Sequence, residues 1–145
     1  MKFFDPEECK APPRADMYLP LFLFVFSFVL YALAVACVVI SLLIPPLSML
    51  WIGTPICAVL GVAAYLCWKN QTVKIIDDER FAYTTMLGKT VEYRFADIVG
   101  LRNNADSMTL ILTDGKVHIE SMARISFPLR QKIEEALEKL DRSEE

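Results

Sequence analysis

No Asp, Glu, Lys or Arg occurs in positions 17–68, a run of 52 residues in a chain of 145. That absence excludes a simple soluble domain, because a core in so small a protein cannot bury such a stretch. Histidine is nearly absent as well. His118 alternates with Val117 and Ile119 and reads as an outward-facing strand residue. The chain has no GxSxG, HExxH, Walker loop or paired-histidine pattern beside it, so no catalytic residue is assigned and an enzyme is not expected. The four cysteines, Cys9, Cys37, Cys57 and Cys67, form no CxxC and no metal-ligand spacing. Neither a disulfide framework nor a metal or other cofactor is expected from them. Basic excess is missing too. Fifteen Lys and Arg stand against 18 Asp and Glu, a net charge of −3. Nucleic acid is therefore excluded as a partner, and nothing draws the chain as a whole toward anionic headgroups. Asp77-Asp78-Glu79 lacks the alternating spacing of a calcium loop and reads as a solvated turn.

What the chain has in abundance is apolar length. Hydrophobic residues make up 54% and the mean hydropathy is +0.37. Residues 18–44 would make a helix about 40 Å long, more than the roughly 30 Å of a bilayer's hydrocarbon core. Pro45-Pro46 removes two N–H donors and ends it. Residues 48–68 form a second run of spanning length, with Ser48 as a cap. Tyr18, Trp51, Trp68 and Lys69 fall near the ends of the two runs, where interfacial anchors belong. A cleaved signal peptide fits poorly, because its apolar region is shorter and its flank is less acidic than the tail with Asp5, Glu7, Glu8 and Asp16. Ala34-Val35-Ala36-Cys37 is a poor lipoprotein box, as the chain stays apolar after Cys37. A single bent span is disfavoured by the proline pair and by length. The reading is a transmembrane hairpin (18–44 and 48–68). Lys2, Lys10 and Arg14 precede it, Lys69, Lys74 and Arg80 follow it, and its turn has no basic residue. Both termini are therefore expected in the cytoplasm, with residues 1–17 as a tail.

After Gln71 the pattern turns to period two. Thr72, Val73, Lys74, Ile75 and Ile76 make a first run. Residues 80–86 follow, with Phe81, Tyr83 and Thr85 on one face. Val91, Tyr93 and Phe95 alternate against Glu92 and Arg94. Residues 98–101 and 108–113 come next, and Asp114-Gly115 predicts a type I′ hairpin into Val117 and Ile119. That makes about six strands. A helix over about 127–141 ends the chain, capped by Ser126, with Ile125, Leu129, Ile133, Leu137 and Leu140 in one stripe.

This meander with one amphipathic C-terminal helix resembles a pleckstrin-homology-like (PH-like) domain. Joined to a transmembrane hairpin, it resembles the small bacterial membrane proteins that carry bacterial PH-like domains. The resemblance lies in residues 83–88, 95–98 and 113–116 and in the helix from Pro128, and covers about 71–141. It implies an α+β membrane protein, a two-helix hairpin followed by a small antiparallel PH-like barrel or sheet. Residues 70–145 are expected to fold on their own. It brings no ligand-binding residues with it.

The expected role is an interaction or scaffolding module of the bacterial inner membrane. The alternatives are a lipid-headgroup sensor or an accessory subunit of a membrane transporter. No ionisable residue lies in the spans, which argues against a carrier acting alone. Expected partners are the bilayer and another membrane or cytoplasmic protein. Gly53, Cys57 and Gly61 give small-xxx-small spacing, so a second copy of the chain is a further candidate. Six strands fall one short of a closed PH barrel. The first run, Thr72 to Ile76, is expected to be an open edge that receives a partner's strand.

Overall fold

The computed structural model describes residues 15–144. The chain is α+β, with two long apolar helices, two antiparallel sheets and a C-terminal helix. A two-residue strand, β1 (Met17–Tyr18), comes first, and α1 (Leu21–Leu43) follows directly after Pro20. Pro45-Pro46 ends α1 as expected but does not give a tight turn. It opens a 3-10 segment over Pro45–Ile52, kinked at Leu47, and α2 (Gly53–Asn70) begins only after it. The second helix is therefore displaced from the expected 48–68. Ser48 lies inside the 3-10 segment rather than at a helix cap.

The remaining strands are β2 (Thr72–Ile75), β3 (Arg80–Thr84), β4 (Thr90–Arg94), β5 (Ile98–Asn103), β6 (Ser107–Leu112), β7 (Gly115–Glu120) and β8 (Arg124–Ile125). They form a five-stranded sheet, β4-β3-β2-β1-β8, and a three-stranded sheet, β5-β6-β7. Among the described residues eight strands replace the expected six, and the two additions are the shortest. In β1, Met17 pairs with Val73 and Ile125, and Tyr18 pairs with Thr72 and Arg124. The residues before the first long helix thus sit inside the sheet. The expected boundary, a tail through residue 17 and a folded part from 70, does not describe this arrangement. Met17 and Leu19 are fully buried. The two apolar helices are an insertion between neighbouring antiparallel strands.

The core lies between the sheets and α3 (Phe127–Glu144). Phe81 packs its ring 4.9 Å from that of Phe95 and 5.9 Å from that of Tyr93. Leu129 and Ile133 of the predicted stripe are buried, and Leu137 packs partly against them. Ser126 caps the helix: its Oγ accepts the Leu129 N–H at 3.4 Å, and its carbonyl accepts that of Arg130 at 3.1 Å. At the far end of β2, Asp77 accepts the N–H groups of Glu79 and Arg80 and the Arg80 guanidinium at 2.8–2.9 Å. The Glu79 amide first, then the Arg80 side chain, hold its carboxyl below the usual range. Burial pushes the Tyr83 phenol up.

Asp114-Gly115 is a hairpin turn for a different reason from the one predicted. Leu112 pairs with Gly115, so Thr113 and Asp114 are the loop residues. Neither has positive φ; Gly88 at +84° is the one described residue that does. Gly115 is required by close approach instead. A Cβ there would stand 2.6 Å from the Tyr93 hydroxyl and 3.1 Å from Cζ, where the Tyr93 side chain of β4 reaches the start of β7. Gly115→Ala should destabilise the protein by about 1–3 kcal/mol through overpacking. Urea unfolding should show part of that loss recovered in the Gly115→Ala/Tyr93→Phe double variant. No recovery would mean that the Tyr93 contact is not the source of the loss.

Candidate functional site

Two features of this fold can do something beyond holding it together: the apolar hairpin and a groove beside α3. The hairpin comes first because it dominates the surface. Two helical segments are long and apolar enough to cross a membrane: α1, and Pro45–Asn70, which joins the 3-10 segment to α2, with mean hydropathies of 2.8 and 1.9 over their best windows. Core helices of soluble proteins pass the same test, but they are mostly buried. Here only 17% and 6% of those windows are buried. Phe22, Val29, Val35, Val59 and Leu60 all lie open. Exposed apolar surface of this extent marks a membrane or protein contact.

Where the two helices meet, the seam is made of small residues. Gly61 is buried there, and a Cβ on it would stand 3.1 Å from the Tyr31 ring and 3.4 Å from the Ser27 carbonyl. A Cβ on Gly53 would meet Cys37 Sγ at 3.7 Å, an ordinary contact. The small-residue spacing seen in the sequence is thus used, at these two glycines, for contact with α1. Ser27 and Ser41 are buried on this seam. Each donates its hydroxyl to a carbonyl of its own helix at 2.7 Å, Phe24 and Cys37 respectively, so neither leaves an unsatisfied group in apolar surroundings.

The expected anchors divide between the ends of the hairpin. Trp51 is half-exposed on the 3-10 segment at the distal end. Trp68 stands at the end nearest the sheets, with its ring 4.5 Å from Phe24 and 6.1 Å from Tyr65. Lys69 holds its Nζ 5.8 Å over the Tyr65 ring. Tyr18 is not a free anchor: it is a half-buried member of β1, three positions before α1 begins. This leaves an aromatic and basic cluster at one end of the hairpin and a tryptophan at the other, the distribution that suits two water–lipid boundaries.

The expected partner edge needs correction. Thr72, Val73, Lys74 and Ile75 form an interior strand, bonded to β3 on one side and facing β1 on the other. Where β1 ends, Asp16 continues the cover, its Oδ2 accepting the Ile75 N–H at 2.8 Å. Ile76 donates its N–H to the Arg80 carbonyl at 3.0 Å. Val73 is buried. A strand so covered cannot receive a partner's strand. The outer strands of this sheet are β4 and β8. Asp16 and Met17, which supply this cover, were not expected in the sheet. The signal was present as Met17 and Leu19 alternating with Asp16 and Tyr18, a short period-two run placed directly before the long apolar stretch.

The groove has a volume of about 580 Å³ and lies between α3 and the loops at Asp78 and Phe95. Phe95, Ile98, Ala136 and Leu140 supply apolar lining, and Arg94, Lys132 and Glu135 supply charge. Lys132 is already engaged, 3.0 Å from the Asp78 carbonyl, 3.1 Å from its carboxylate and 5.6 Å from the Phe95 ring centroid. Elsewhere, His118 bonds Thr109 through Nδ1 at 3.1 Å and Glu120 through Nε2 at 3.1 Å, on a side chain 44% exposed. Among the described residues, no group of three or more His, Cys, Asp or Glu is placed to hold a metal ion. Cys9 lies outside the described residues, as do the basic residues Lys2, Lys10 and Arg14. No protein-family model, no curated protein and no solved structure matches this chain.

Proposed function

We propose that the chain is a membrane-anchored interaction or scaffolding module of the bacterial inner membrane, with its sheet domain in the cytoplasm. One observation carries the reading. The exposed apolar hairpin leaves and re-enters a single sheet through paired neighbours, since Tyr18 faces Thr72 directly. Membrane anchor and folded domain are thereby one body, and a partner held by the domain is held at a fixed height above the bilayer. Both ends of the hairpin lie on one side, and the basic residues that flank it in the sequence support a cytoplasmic location for that side. The PH-like reading is supported by the order of elements: antiparallel strands in two sheets, then one helix packed against the core. A lipid-headgroup sensor is less well supported, because the groove's Lys132 is already engaged by Asp78. Nothing observed favours the transporter-subunit reading.

Single cysteines at Ser48 and Ser143, after removal of the native cysteines, test the topology. In intact cells an impermeant maleimide that crosses the outer membrane should label Ser48→Cys and leave Ser143→Cys unlabelled until the inner membrane is opened. Labelling of Ser143→Cys from outside would overturn the proposed orientation.

A further inference from the structure

The strand directions place several tips at one end of the domain. Because α2 runs straight into β2, the start of β2 is the end nearest the hairpin. β3 runs back toward that end, so the β3–β4 turn, residues 85–89, lies beside the last residues of α2. Asn70 fixes it there, its Nδ2 donating to the Met86 carbonyl at 2.8 Å. The turn is closed on itself. Gly88 donates its N–H to the Thr85 carbonyl at 2.8 Å, and Thr85 donates its N–H to that of Lys89 at 2.9 Å. The positive φ of Gly88 makes this closure possible. Met86 and Leu87 stand at its corner, Leu87 78% exposed, with Lys89 exposed beside them. On the opposite flank of the sheet, Arg124 faces Tyr18 across the ladder, so residues 121–123 lie at the same end. Met122 is exposed on that tip.

The geometry points to a second membrane contact: the β3–β4 tip inserts Met86 and Leu87 into the interfacial layer of the bilayer that holds the hairpin, with Met122 making the matching contact on the other flank. This rests on the membrane-anchored reading above. Three arguments favour lipid over a protein partner. The tip adjoins the hairpin directly, tied by Asn70 to the last turn of α2. Its apolar residues sit on tips rather than in a concave surface, which suits shallow insertion into a fluid layer. Lys69, Lys89 and Arg124 accompany the exposed apolar side chains, and long basic side chains reach the headgroups while their stems stay apolar. A domain held at the hairpin and at two tips has a fixed tilt, so its α3 groove faces away from the lipid at a set angle.

The test uses the full chain in nanodiscs of phosphatidylcholine doped with spin-labelled lipid, the label either near the headgroup or deep in the acyl region. A polarity-sensitive fluorophore is placed on single cysteines at Leu87, at Val59 in mid-hairpin and at Asp114 on the remote β6–β7 turn. The shallow label should quench the Leu87 probe several-fold more than the Asp114 probe, and aqueous iodide should quench it several-fold less. The deep label should quench Val59 most. If Val59 is quenched by lipid and Leu87 behaves like Asp114, the tip contact is wrong and the anchored reading stands. If Val59 is not quenched by either lipid label, both fall.

Discussion

A chain cut to residues 70–145 is expected not to fold, whereas a chain in which a short glycine-containing turn replaces the hairpin between Leu19 and Gln71 is expected to fold as a soluble domain. The first cut removes β1 and leaves β2 and β8 without their shared neighbour. It also removes Met17 and Leu19, both fully buried. Burying such side chains contributes about 1.5–3 kcal/mol each, against a total stability of about 5–15 kcal/mol for a domain of this kind. Lost ladder bonds and the uncapped Ile75 amide add to the deficit. The replacement keeps all of these, because Tyr18 and Thr72 are already opposite each other and need only a hairpin loop between them. Amide dispersion in two-dimensional NMR spectra and the near-ultraviolet circular dichroism of the two chains give a direct reading. A 70–145 chain as well folded as the joined one would mean that β1 is dispensable.

The contrast explains which parts of this fold were legible. Long uncharged runs read correctly as helices because nothing else accommodates them, and α3 read correctly because Leu129 and Ile133 recur at helical spacing after a capped start. Strands β3, β4, β6 and β7 announced themselves by alternation, and β5 by a short apolar run. β1 did not, because two paired residues give a pattern too short to weigh against the helix beside it. Its partners are also more than 50 residues away along the chain, so no local signal ties Met17 to Val73. The open edge at Thr72 to Ile76 was inferred from a strand count that lacked β1. Once β1 is present, the same residues become interior. Asp114-Gly115 carries a related lesson. The dipeptide located a turn, but the need for glycine came from Tyr93 on another sheet, a contact that no local rule contains. The groove beside α3 was invisible for the same reason, since its walls come from segments that meet only in three dimensions.

Asp16 is the residue on which the second large effect is expected. Its carbonyl accepts the Ser126 N–H, its Oδ1 accepts the Ser126 hydroxyl at 3.1 Å and its Oδ2 accepts the Ile75 N–H at 2.8 Å. One side chain thus covers the exposed half of β2 and steadies the hydroxyl that caps α3. A carboxylate near a helix N-terminus is also favoured by the helix dipole. Asp16→Ala leaves two donors in part-buried positions without their acceptor, at about 1–3 kcal/mol each. Ser126→Ala removes the cap alone, at about 0.5–2 kcal/mol. The expected order of loss is therefore Asp16→Ala, then Asp16→Asn, then Ser126→Ala, since an amide retains one of the two acceptors. The double variant Asp16→Ala/Ser126→Ala separates the contributions. Its loss should fall short of the sum, because the hydroxyl–carboxylate bond is counted in both single variants. What remains for Asp16 in the Ser126→Ala background reports the Ile75 amide, and hydrogen exchange at that amide should quicken in Asp16→Ala while staying slow in Ser126→Ala. Unchanged exchange at Ile75 in Asp16→Ala would show that β2 needs no cover beyond β1, and that the tail is held by the helix cap only.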